Sequence, residues 1–153
     1  MLIYSAAQNT EIWLRPLLGG EPTRLSERAS EPGRFSRDGR HVLFLEWQSA
    51  ERAVANLKVV PISGGAPILD IPWRGGLDFR WHPDGKTITF RRLGSTVTNL
   101  FSIPLTGGEP TQMTKFPSGR FSSYDWTADG RLVLVRTEST SDVVLISDWR
   151  RAR

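Results

Sequence analysis

The 153-residue sequence contains no cysteine, which excludes disulfide cross-links, thiolate nucleophiles and cysteine-ligated metals together. This absence leaves the compartment open, because disulfide-free proteins occur on both sides of a membrane. Only two histidines are present, His41 and His82, so neutral-pH bases are scarce. No apolar run approaches the roughly 20 residues that a membrane-spanning helix needs, so membrane insertion is not expected. The N-terminus begins Met1-Leu2-Ile3-Tyr4, without the basic start and long apolar core of a secretory signal peptide. Sustained helical periodicity is missing too, while ten prolines and fourteen glycines punctuate the chain.

What is present describes a folded globular chain, with 39% hydrophobic and 24% charged residues. The formal net charge of +4 invites a nucleic-acid reading. However, 17 of the 20 basic residues are arginines dispersed among 16 acids. Only Arg150-Arg151-Ala152-Arg153 clusters, and a solvated chain end is its simpler explanation. Nucleic acid is therefore not an expected partner.

The dominant signal is an internal repeat. An aromatic residue precedes an Asp-Gly pair three times, in Phe35-Ser36-Arg37-Asp38-Gly39, Trp81-His82-Pro83-Asp84-Gly85 and Trp126-Thr127-Ala128-Asp129-Gly130. The three aspartates are spaced by 46 and 45 residues. Gly-Gly pairs at Gly19-Gly20, Gly64-Gly65 and Gly107-Gly108 interleave with spacings of 45 and 43 residues. Two independent turn markers thus share one period. Between them lie short runs of branched and aromatic residues, such as Val42-Leu43-Phe44-Leu45, Thr87-Ile88-Thr89-Phe90 and Leu132-Val133-Leu134-Val135. Asp closes a turn through its carboxylate and Gly takes positive φ at no steric cost, so both markers read as hairpins.

One unit reads as four strands, at about 33–36, 41–46, 56–62 and 66–71, and the next unit repeats this. The period and strand count predict an all-β fold, a partial β-propeller of about 3.5 blades of four-stranded antiparallel sheets. The units are expected at 2–26 (incomplete), 31–71, 77–114 and 121–148 (incomplete), for 14 strands. The first lacks an inner strand and the last lacks an outer one. An open arc would leave two blade faces to be covered, which predicts self-association or membership of a longer protein.

The aromatic–x–x–Asp-Gly element followed by strands and a Gly-Gly hairpin resembles the TolB-like, WD40-like propeller repeat. Trp81-His82-Pro83-Asp84-Gly85-Lys86 comes nearest to the family pattern, and the other two copies are variants. The resemblance runs from Leu2 to about Trp149. Ser141–Asp148 resembles the C-terminus of such propellers in bacterial multidomain proteins, where kinase or winged-helix domains often precede them. It implies a protein-binding or sensing module, in a periplasmic or extracytoplasmic setting if the parent proteins are the family's usual ones.

No residue pattern calls for catalysis. His82 occupies the turn position held by Ser36 and Thr127 elsewhere, and His41 opens a strand. There is no Gly-x-Ser-x-Gly elbow. Neither Asp78 with Asp84 nor Asp125 with Asp129 has calcium-loop spacing, and no Gly-rich loop continues into Lys-Ser/Thr. No catalytic residue, cofactor or metal is therefore assigned. Trp81, Trp126 and Trp13 are expected in the core by repeat phase. Trp47, Trp73 and Trp149 fall near strand ends, and Trp47, Trp73, Arg74, Arg91 and Arg92 form a candidate interaction surface, with Arg80 nearby; edge packing with snorkelling arginines is the plainer reading of the same residues. The leading expectation is a non-enzymatic module with a protein or peptide partner. The alternatives are the propeller portion of a prolyl-oligopeptidase-like hydrolase and an engineered or excised fragment that self-assembles.

Overall fold

The computed structural model describes residues 2–6, 11–29, 33–48, 54–76, 78–94 and 96–137. Among them are thirteen strands and no helix. Blade 1 holds β1 (Leu2–Ala6), β2 (Glu11–Arg15) and β3 (Thr23–Ser26). Blade 2 holds β4 (Arg34–Phe35), β5 (His41–Trp47), β6 (Ala55–Pro61) and β7 (Leu69–Trp73). Blade 3 holds β8 (Phe79–Trp81), β9 (Thr87–Leu93), β10 (Thr98–Pro104) and β11 (Thr111–Gln112). Blade 4 holds β12 (Arg120–Trp126) and β13 (Leu132–Thr137). Each sheet runs in sequence order with antiparallel neighbours. The strand expected near 142–147, Trp149 and the terminal arginines lie outside the described residues.

The blades pack face to face, which explains why β5 is apolar on both phases. In β5, Val42 and Phe44 meet Ile12 and Ala29 beside blade 1. The alternate residues Leu43 and Leu45 meet Phe79, Ile88 and Phe90 of blade 3. A strand with two buried faces must read as an unbroken hydrophobic run, and β5 does. Each such side chain, fully buried, contributes about 1.5–3 kcal/mol. A third core, of Leu100, Phe121 and Tyr124, joins blades 3 and 4.

The Asp-Gly turns form as their chemistry predicts. In blade 2, Ser36 Oγ donates to Asp38 Oδ1 at 2.6 Å and accepts from His41 N–H at 2.9 Å. In blade 3, where His82 replaces the serine, Asp84 accepts instead from Lys86 N–H at 2.8 Å, and from the N–H and hydroxyl of Thr87. In blade 4 the Thr127 hydroxyl donates to Asp129. Gly39, Gly85 and Gly130 take φ of 69°, 66° and 85°, left-handed values that other residues resist. These bonds hold all three carboxyls below the usual carboxylate range. The Ser36 hydroxyl leads for Asp38 and the Thr127 hydroxyl for Asp129. For Asp84, burial pushes upward but the donors outweigh it.

The third hairpin differs from the others by one residue. Ser36 N–H reaches the carbonyl of His41 and His82 N–H that of Thr87, both five residues on. Thr127 N–H reaches Arg131, only four on. Phe35 accordingly pairs with Val42 and Trp81 with Ile88, whereas Trp126 pairs with Leu132. The apolar pattern has moved with the turn. Leu132 stands where the longer hairpins place polar His41 and Thr87, so Leu132 and Leu134 still pack toward blade 3.

Several expectations need correction. The outer strand of blade 2 begins at Leu69 rather than 66, because Gly64 and Gly65 take left-handed φ and Pro67 has no N–H to pair. Trp13 is not in the core. It lies half-buried on the opposite face of β2 from Ile12 and Leu14, its Nε1 bonded to Glu11 at 2.9 Å and its ring under Arg24. Trp81 and Trp126 pack against the cores but stay partly exposed, because each indole N–H reaches the neighbouring blade. Trp81 Nε1 donates to the Arg34 carbonyl at 3.1 Å, and Trp126 Nε1 to Thr89 Oγ1 at 3.0 Å.

A candidate interaction groove between the second and third blades

The outer strand of blade 2 and the loop before the outer strand of blade 3 enclose a groove of about 430 Å³. Its apolar floor is Ile71, Phe90 and Ile103, its walls are Trp73 and Pro110, and Arg74, Arg92 and Glu109 stand at its edge. Trp73 is held in place from three sides. Its ring meets the edge of Phe90 at 4.6 Å, and its Nε1 donates to the Gly76 carbonyl at 3.0 Å. The ring also folds back over Gly75, where a β-carbon would lie only 2.4 Å from Cζ2. Any other residue at 75 would have to displace the indole.

The two arginines are arranged differently from each other. Arg92 lies against blade 3, its guanidinium carbon 4.4 Å from the Phe101 ring centre. Arg74 is exposed in the loop after β7. Among the described residues neither forms an ion pair, and Glu109 is the one carboxylate lining the groove.

The structure thus gathers three of the five residues expected at an interaction surface, Trp73, Arg74 and Arg92. Arg91 does not join them. Alternation along β9 turns it to the other face, where its Nε meets Asp78 Oδ2 at 2.9 Å and its guanidinium donates to the Phe121 carbonyl. Trp47 is also separate, lining a polar cleft beside blade 1 with Arg24, Arg28 and Glu46. Arg80 pairs with Asp78 at 2.6 Å and covers the Tyr124 ring. Gly75 was legible only as a loop residue, and Phe90 and Ile103 only as strand interior. The signal that could have revealed the platform is a tryptophan followed two residues later by glycine.

A smaller cavity of about 270 Å³ lies where the aromatic–Asp-Gly turns converge. Arg37 donates to the Ala128 carbonyl at 2.9 Å, joining the turns of blades 2 and 4. His82 packs edge-on against Trp126 at 4.6 Å and sits 3.1 Å from Asp84. His41 Nδ1 lies 4.0 Å from Asp38. Both histidines are thus engaged with the aspartates of their own turns.

Sheets that repeat in sequence order and bury both faces against their neighbours define a β-propeller. The comparisons place it more closely. No protein-family model matches the sequence. An uncharacterized protein of Agrobacterium fabrum is 29% identical over 121 residues, which is 76% of this chain and 38% of that protein. A Streptomyces coelicolor protein named as a tricorn protease homolog is 37% identical over 86 residues, half of this chain and 7% of that protein. Among solved structures, one described as TolB from Agrobacterium tumefaciens superposes with a TM-score of 0.54 at 20% identity, covering 86% of this chain and 52% of that one. The β-propeller domain of the Trilobed protease from Pyrococcus furiosus gives 0.54 at 17% identity, covering 76% and 40%. The chain has a TolB-like β-propeller fold. It spans well under half the length of the two sequence relatives and about half that of the TolB structure.

Proposed function

We propose that the chain is a non-enzymatic propeller module that binds a protein or peptide partner. The observation that carries this reading is the preformed Trp73 platform, flanked by two arginines that form no ion pair among the described residues. Trp and Arg dominate binding hot spots because they bury much surface per fixed torsion and keep strong donors at the edge. A groove of this size, with an apolar floor and a few polar groups at its edge, is also the usual form of a recognition site. Panning a random short-peptide display library on the purified chain tests the proposal. Enriched peptides should bind the parent chain and lose binding to Arg74→Glu. Enrichment that is indifferent to residue 74 would remove the groove from the reading.

A second reading draws on the protease names that two of the similar proteins named above carry. In it the propeller serves a peptidase by receiving its polypeptide substrate, and the groove is a substrate contact. Peptide hydrolysis by the full-length gene product, absent from this chain alone, would support that version. No hydrolysis by the full-length product would overturn it.

A further inference from the structure

We infer that the groove selects an extended peptide in which an acidic residue stands beside an apolar one. The inference rests on the reading of the groove as an interaction surface and adds the chemistry of its partner. Five observations support it.

The floor of Ile71, Phe90 and Ile103 offers no hydrogen-bonding side chain, so a polar group placed there would lose its water without compensation. An apolar side chain laid against the Trp73 face meets no such cost. At the edge, Arg74 and Arg92 outnumber Glu109, which leaves net positive charge over an apolar surface. The Phe101 and Phe90 rings brace the Arg92 guanidinium, whose N–H groups are the donors a carboxylate would accept from.

Backbone pairing is the competing mode, because β7 is the outermost strand of blade 2 among the described residues. Pro72 near its end has no N–H, and proline on an edge strand interrupts strand addition. Recognition therefore falls to side chains. Finally, the platform is set before binding, by Gly75 beneath the indole and the Gly76 carbonyl on its N–H. A preset site lowers the ordering cost of binding.

The test is fluorescence anisotropy on the whole chain with three labelled peptides of equal length. In one, glutamate alternates with leucine; in the second, lysine alternates with leucine; in the third, glutamate alternates with serine. The first should bind in the micromolar range, and the other two at least about tenfold more weakly. Arg74→Glu, at an exposed loop position, should weaken the first peptide by about tenfold, and Arg74→Glu/Arg92→Glu by more. Equal binding of the lysine peptide, or unchanged affinity in the double variant, would overturn the inference. Library peptides that bind through the groove but carry no acid would sink the acidic preference and leave the module reading standing. If no peptide binds at all, both fall.

Discussion

Two seams built on the same repeat hold blade 3 in place, and they use different chemistry. Toward blade 2 the seam is apolar: Leu43, Leu45, Leu57 and Val59 face Phe79, Ile88, Phe90 and Ile103, all almost fully buried. Toward blade 4 the same strand β9 presents Thr89 and Arg91. Tyr124 Oη donates to the Thr89 carbonyl at 2.7 Å and lies 3.2 Å from its hydroxyl, which also accepts from Trp126 Nε1. Arg91 adds a bond across to the Phe121 carbonyl, and is itself paired within blade 3 to Asp78. Burial raises the Tyr124 phenol well above its ordinary range, in keeping with a neutral donor inside the seam. An apolar seam is stabilised by buried area and tolerates swaps that conserve volume. A polar seam contributes little net energy per bond but is costly when one partner is removed.

That asymmetry can be broken or sharpened by mutation. The largest effect is expected from Phe90→Ala, which opens a cavity in the apolar seam and removes the groove floor. Urea titration should show a loss of about 3–5 kcal/mol. Thr89→Val comes next. It preserves shape but strips a buried acceptor from Tyr124 and Trp126, and should cost about 1–3 kcal/mol. The volume-conserving Leu45→Met in the other seam should cost less than about 1.5 kcal/mol. A reversed order for these two would dissolve the distinction between the seams. Tyr124→Phe should cost about 0.5–1.5 kcal/mol. In a double-mutant cycle with Thr89→Val it should be clearly non-additive, since the pair share bonds. Additive losses would show that the contacts act separately.

The smallest effect concerns acid. Asp38, Asp84 and Asp129 have pKa values lowered in the folded chain, so their contribution is fully present above the unfolded carboxyl value of 3.8. It is lost as pH falls through the lower folded values. The melting temperature should therefore drop as pH decreases below about 4, and Asp129→Asn should flatten part of that slope. A slope unchanged in that variant would mean other groups carry it.

Much of the fold was legible in the sequence because its turns are local chemistry. Asp-Gly and Gly-Gly hairpins depend on residues within a few positions of each other, so their period survives in the sequence and locates the sheets. The seams were less legible. Nothing in Thr87-Ile88-Thr89-Phe90 states what Thr89 meets, although a threonine within an otherwise apolar run was a clue. The groove was half legible for a related reason. Arg91 and Arg92 adjoin in sequence, but a strand sends neighbours to opposite faces, so one reached the groove and the other the seam. Gly75, which sets the angle of Trp73, has no side chain for chemistry to announce.

The shortened hairpin before β13 has one further consequence. Turn length acts like a reading frame for the strand that follows: deleting one residue exchanges its two faces. In β9 such a shift would send Thr89 to the wrong side and strand Tyr124 and Trp126. In β13 the frame is degenerate, because Leu132-Val133-Leu134-Val135 is apolar in either phase. As it stands, the frame turns Val133 and Val135 outward, 55% and 57% exposed, at the phase where blade 2 hides Leu43 and Leu45 almost completely. A single inserted residue after Gly130 would offer the leucines instead. Blade 4 is therefore the place where a propeller of this kind could change register without losing its sheet.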